Sequence, residues 1–76
     1  MSYGITKVRC WKVEESLLAI RVSRVPRDRN PTSTDMVWIP RSPLEHISTY
    51  GPTPEGAWPE LVITMPESLA DRKGLL

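Results

Sequence analysis

Eight prolines stand in this 76-residue chain, at positions 26, 31, 40, 43, 52, 54, 59 and 66. Each removes a backbone donor and fixes φ near −65°, so none is at home inside a helix or a central strand. They cut the last two thirds of the chain into pieces too short for a helical bundle. What remains is short strands joined by turns. The sharpest break lies mid-chain. Met36-Val37-Trp38-Ile39 is an apolar run that reads as a buried strand, with Trp38 in the core, and Pro40 ends it. Ser42 and Glu45 then have the spacing of a capping box, with Pro43 at the first helical position, which predicts a capped helical turn from Pro43 to about Ile47.

The other segments follow the same logic. Gly4 to Val13 is rich in Ile, Thr, Val and Trp and reads as a strand. Its alternation is imperfect: Ile5, Trp11 and Val13 share one parity, Val8 and Cys10 the other, which calls for a bulge or cover on both faces. Glu14-Glu15-Ser16 reads as a hairpin connection. Residues 17–25 alternate, with Leu18, Ile20 and Val22 inward and Arg21 and Ser23 outward. Pro26 to Thr34 reads as an exposed loop, and Ser48 to Pro59 as a second, longer one. Glu60 to Met65 is the fourth strand, with Leu61, Ile63 and Met65 on one side. Pro66 opens a short helix whose charges suit the macrodipole, and Gly74 closes it with Leu75 in a Schellman-type contact.

The expected fold is therefore mainly β, in the order β-β-β-turn-β-α. It is one small domain over residues 1–76, packed as a strongly bent antiparallel sheet or open barrel of SH3 or OB type with a short C-terminal helix. The single cysteine, Cys10, rules out an internal disulfide and favours a reducing compartment. Met1 to Gly4 carries no leader pattern, and the longest wholly apolar stretch is four residues, which predicts a cytoplasmic protein without membrane contact.

No motif points to catalysis, and the chain reads as a non-enzyme without cofactor. Ser42 and His46 are four apart but lack a positioned acid and an oxyanion hole. Cys10, between Arg9 and Trp11, reads as a packed structural thiol rather than a nucleophile. One His and one Cys cannot make a structural zinc site, and no glycine-rich phosphate loop is present.

Charge is divided. Residues 1–41 carry eight Lys/Arg and four Asp/Glu, and residues 42–76 carry two and five. Plain solubility accounts for such a mixture. It also leaves two recognition readings. Arg27 and Arg29 on one loop, with Tyr50 and Trp58 on the other, are the residue types that anchor protein interfaces. Alternatively Arg9, Arg21 and Arg24, beside exposed aromatics, could hold single-stranded nucleic acid, although Glu14, Glu15 and Asp28 interrupt the field. An exposed strand edge would favour a homodimer alongside either role.

Two segments, Val37-Trp38-Ile39-Pro40-Arg41-Ser42 and Pro66-Glu67-Ser68-Leu69-Ala70-Asp71-Arg72-Lys73-Gly74-Leu75, resemble a set of short phage- and prophage-encoded proteins. In those, an aliphatic strand, here Leu17 to Val22, precedes a Trp-aliphatic-Pro-basic-Ser segment, and the chain closes on a small helix ending Lys-Gly-Leu. The resemblance covers about half the chain. This sequence departs from the set in its longer 26–34 and 48–59 loops and in having Leu69 where a bulkier aromatic is common. It implies a small binder encoded by a phage or mobile element, whose partner is a host or phage protein complex. Occlusion of a defence complex, as by an anti-CRISPR-like inhibitor, is one expected role, and an accessory of replication or recombination is the other. No site residue follows from it.

Overall fold

The computed structural model describes Gly4 to Leu75; the N-terminal Met1 to Tyr3, read above for a leader, lies outside the described residues. Five strands and one helix follow in chain order: β1 (Ile5–Glu15), β2 (Ala19–Ser23), β3 (Met36–Pro40), β4 (His46–Thr49), β5 (Glu60–Pro66) and α1 (Glu67–Arg72). All strand pairs are antiparallel, in the order β3-β2-β1-β5-β4. β1 is thus the central strand, and β3 and β4 are the two edges. No helix among the described residues is long and apolar enough to cross a membrane.

The sheet cannot be flat, because of one short connection. Pro40 ends β3 level with Ala19, which pairs with Ser16 at the top of β1. His46 begins β4 level with Thr64, which pairs with Lys7 near the bottom of β1. In a flat sheet these points lie four strand spacings apart, ~19 Å, and about eight residues apart along the strands, ~26 Å, a diagonal of ~32 Å. The chain from Pro40 to His46 has six Cα steps, which reach roughly 20–22 Å when fully extended. A tight turn shortens it further, since the Leu44 N–H donates to the Arg41 carbonyl at 3.0 Å. Strong curling of the sheet resolves the conflict. Val37 of β3, Leu44 of the connection and Ile47 of β4 accordingly pack on one buried cluster. The edges do not pair, so the result is the bent, open sheet rather than a closed barrel.

The bend is placed by a bulge. Lys12 pairs with Val22, yet Glu14 pairs with Arg21, so Val13 is an extra residue. This settles the mixed parity of β1. Val8 and Cys10 point into the core, whereas Arg9 and Trp11 point to the outer face. The core is filled by alternate residues of four strands (among them Ile20, Val22, Ile39, Leu61, Ile63 and Met65) and capped by Leu69 and Ala70 of α1. α1 ends in a full Schellman motif. Leu75 N–H reaches the Ala70 carbonyl at 2.8 Å, Gly74 N–H reaches Asp71 at 3.1 Å, and Gly74 takes φ 71°.

Four expectations are corrected. The segment after Pro43 is not helical: Glu45 N–H donates to the Thr64 carbonyl at 2.8 Å, and β4 begins at His46. Pairing with β5 satisfies the backbone there, which a single turn of helix could not do. The capping box lies instead at Thr32 and Asp35, at the far end of the 26–34 loop, where it caps the second of two short 3₁₀ turns. Trp38 is not core. It stands opposite Arg21 on the outer face and is 40% exposed, because Val37 and Ile39 take the inward positions of a two-residue repeat. The first hairpin turns at Leu17-Leu18 rather than at 14–16, leaving these leucines 89% and 77% exposed. Ser16 Oγ accepts the Ala19 N–H at 3.2 Å, and Arg41 clamps the turn by pairing with Glu15 and bonding the Ser16 carbonyl at 3.1 Å. Lys12 and Arg41 hold the Glu15 carboxyl below its usual range.

Two outcomes test this core. Ile63 is fully buried, so Ile63→Ala should cost about 3 kcal/mol in urea unfolding, while Leu17→Ala should stay within about 0.5 kcal/mol. Cys10 is buried, and desolvation pushes its thiol up to about 12 from the ordinary 9.0. In the unfolded chain it loses its proton near pH 9, and in the folded protein it keeps it. Stability should therefore fall by about 1.4 kcal/mol per pH unit between pH 9 and 12 relative to Cys10→Ala. Parallel stability–pH curves for the two proteins would refute that link.

Candidate functional site

The strand register brings the two long loops together. Ser23, where β2 ends, and Glu60, where β5 begins, both pair with Trp11 of β1. The chain leaving β2 (26–29) and the chain entering β5 (50–59) therefore start on either side of Trp11. Local bonds set their paths. Ser23 Oγ donates to the Val25 carbonyl at 2.6 Å and turns the chain out of the strand. Arg29 N–H donates to the Pro26 carbonyl at 3.1 Å, forming a 3₁₀ turn closed by Asn30 at φ 52°. On the other side, Tyr50 N–H donates to the Glu60 carbonyl at 2.7 Å and seals the base of the β4–β5 loop. Pro54 to Ala57 is a β-turn (Ala57 N–H to Pro54 carbonyl, 3.1 Å) with Gly56 at φ 80°, a value that glycine meets without strain.

Between the loops lies a cleft of about 680 Å³. Three aromatic side chains line it: Trp11 from β1, Tyr50 at the end of β4, and Trp58 just before β5. Pro26, Pro52 and Pro54 add rigid apolar surface. Asp28, Glu55 and Glu60 bring carboxylates to the same lining. The walls are tied across the gap by Arg27, whose Nη1 donates to the Gly56 carbonyl at 3.0 Å. Beside the cleft, Arg9 pairs with Glu60 and stacks on Tyr50, its guanidinium carbon 5.4 Å from the ring centroid. The hydrogen bond and charge of Glu60 raise the Arg9 pKa further above its already high ordinary value.

Of the residues picked as partner contacts, Arg27, Tyr50 and Trp58 share this cleft, and Tyr50 is 61% exposed. Arg29 is exposed on the 3₁₀ turn but does not line it. In the alternative set, Arg9 and Arg21 share the outer face of the sheet, and each of the three arginines has a carboxylate beside it. Arg9 faces Glu60, Arg21 lies 3.7 Å from Glu14, and Arg24 lies 3.7 Å from Asp35. Arg24 also donates to the carbonyls of Gly74 and Thr34 at 3.0 Å each, which fastens the end of α1 to the 32–35 turn. Ser42 and His46 are both exposed and fall on different elements, a turn and an edge strand. Among the described residues no group of three or more His, Cys, Asp or Glu side chains is placed to hold a metal ion.

Trp11 was the residue that sequence reasoning missed. Its only signal was parity: it lies on the same side of β1 as Arg9 and opposite to Val8 and Cys10. Because Arg27 crosses the cleft, Arg27→Ala should speed hydrogen exchange of loop amides 51–57 severalfold while global stability changes by only about 0.5–1.5 kcal/mol. Unchanged exchange in that loop would show that the bond does not hold it. No protein-family profile matches this chain, and no curated protein or solved structure is significantly similar to it.

Proposed function

We propose that this chain is a non-catalytic interaction module that captures part of a partner protein in the cleft between its two long loops. The observation that carries the reading is the convergence of Trp11, Tyr50 and Trp58 with Arg27 on one concave surface. Trp, Tyr and Arg dominate binding hot spots because they bury large area at low entropy cost and keep a polar tip. Trp11 stands on the central strand and Arg27 ties the two loops across the cleft, and such fixing before binding lowers the ordering cost. The resemblance of residues 37–42 and 66–75 to short phage and prophage proteins supports a partner within a host or phage complex. There the module would act by occlusion, as an anti-CRISPR-like or other anti-defence inhibitor does. A nucleic-acid role has less support, since Arg9, Arg21 and Arg24 each face a carboxylate and the cleft lining is acidic.

Capture from host lysate on immobilised protein tests this. A partner retained by the wild type should be lost from Arg27→Glu/Trp58→Ala, with affinity down at least about thirtyfold and the circular dichroism of the fold unchanged. Equal retention by the two proteins, or retention of single-stranded oligonucleotides alone, would defeat the proposal.

A further inference from the structure

The geometry points to an extended, proline-rich segment carrying an arginine or lysine as the occupant of the cleft. This rests on the reading of the cleft as a protein-binding site and narrows it to one chemical class. Hydrogen bonding gives the first reason. Trp11, Tyr50 and Trp58 line the cleft, and among the described residues neither their indole N–H groups nor the Tyr50 hydroxyl makes a hydrogen bond to another side chain or the backbone. The aromatic wall therefore offers donors. A polyproline II segment is the complementary ligand: its carbonyls point outward, it has no internal hydrogen bonds, and its prolines have no N–H to leave unpaired.

Shape gives the second reason. Aromatic faces and rigid pyrrolidine rings make grooves that accept proline rings, and a preformed polyproline helix loses little entropy on docking. The volume, about 680 Å³, suits a few residues of extended chain.

Charge gives the third. Arg27 is engaged with the Gly56 carbonyl, and Glu60 is engaged with Arg9. Asp28 and Glu55 have no ion-pair partner among the described residues. Arg27 keeps its charge, because the Gly56 carbonyl is neutral, so two carboxylates stand against one guanidinium and the balance left in the lining is negative, which favours a cationic side chain over a phosphate. Asp28 comes from the first loop and Glu55 from the second, so a basic residue at either end of the ligand meets a carboxylate.

The experiment is a tryptophan-fluorescence titration of the full chain. The probes are a set of twelve-residue peptides with two or three prolines and one arginine at varied spacing, the same set with arginine changed to glutamate, and the same set with proline changed to alanine. A single-stranded oligothymidylate is the fourth probe. At least one proline–arginine peptide should give a saturable change, and both its altered forms should bind about tenfold more weakly or worse. Asp28→Asn/Glu55→Gln, which alters only exposed loop side chains, should weaken that peptide about fivefold and abolish the difference between its arginine and glutamate forms. Absence of saturation across the whole set, equal binding of all three forms, or tighter binding of the oligothymidylate would overturn the inference. Lysate capture that depends on Arg27 and Trp58 while no proline peptide binds would sink this inference and leave the interaction reading standing; capture indifferent to them would sink both.

Discussion

The five residues between Pro40 and His46 impose the shape of this protein. They join strands at opposite edges and at opposite ends of a five-stranded sheet, across a flat distance that they cannot span. Every other feature is consistent with the resulting curl. The extra residue at Val13 gives the central strand its bend, and bulges are the usual means of turning a strand sharply. Leu44 enters the core from the connection itself, so the linker also serves as part of the packed interior. The small helix α1 then suffices to cover the concave side, because curling has already reduced the apolar area that needs cover. Leu69 and Ala70 fill that space, and the Schellman closure turns Leu75 onto the same cluster.

Curl and register together create the cleft. The outer side of the sheet carries Arg9, Trp11, Arg21 and Trp38, a mixture of aromatic and basic residues. Where β2 ends and β5 begins at the same level of β1, two irregular segments rise beside Trp11. They shelter it without packing it into the core, so the indole is half-buried rather than buried. A site made this way has a rigid floor, supplied by the ladder bonds of β1, and walls that are held by a few hydrogen bonds. The Arg27 bond to Gly56 is one of them, and the bond from Lys12 N–H to the Pro59 carbonyl at 2.9 Å is another.

Much of the frame was legible in the residues. Alternation placed β2 and β5 within two residues, and the mixed parity of β1 announced its bulge. The helix stop at Gly74 followed from glycine's access to positive φ. Legibility failed wherever tertiary pairing outranks local preference. Ser42, Pro43 and Glu45 form a good local start for a helix, yet β5 offers a ladder to His46–Thr49 and the strand wins. Leu17 and Leu18 look like strand residues by composition, but the Ser16–Ala19 closure makes them a turn. Trp38 sits in an apolar run whose burial only the register could assign. Of the site, the loop members Arg27, Tyr50 and Trp58 were legible by type. Trp11 was not, because nothing local tells which face of a bulged central strand two loops will cover.

Distribution of charge separates the readings of this surface better than its total does. A net charge of +1 is compatible with almost any partner. Eight Lys/Arg in the first 41 residues suggest a polyanion, but folding pairs five of them with carboxylates. Arg9, Lys12, Arg21, Arg24 and Arg41 each meet a carboxylate, four of them across strands or loops. Exposed pairs of this kind contribute little stability each. Their larger effect is to remove the long-range attraction that a row of unpaired cations would exert on phosphates. The Arg9–Glu60 pair also occupies one of the three carboxylates of the lining and holds the Arg9 guanidinium over the Tyr50 ring. The cleft, which draws on both halves of the sequence, therefore presents an aromatic concavity whose open charges are the acids Asp28 and Glu55 and the single base Arg27. The binding proposed there would rest on aromatic contact and short-range pairing, which are less sensitive to salt than phosphate binding.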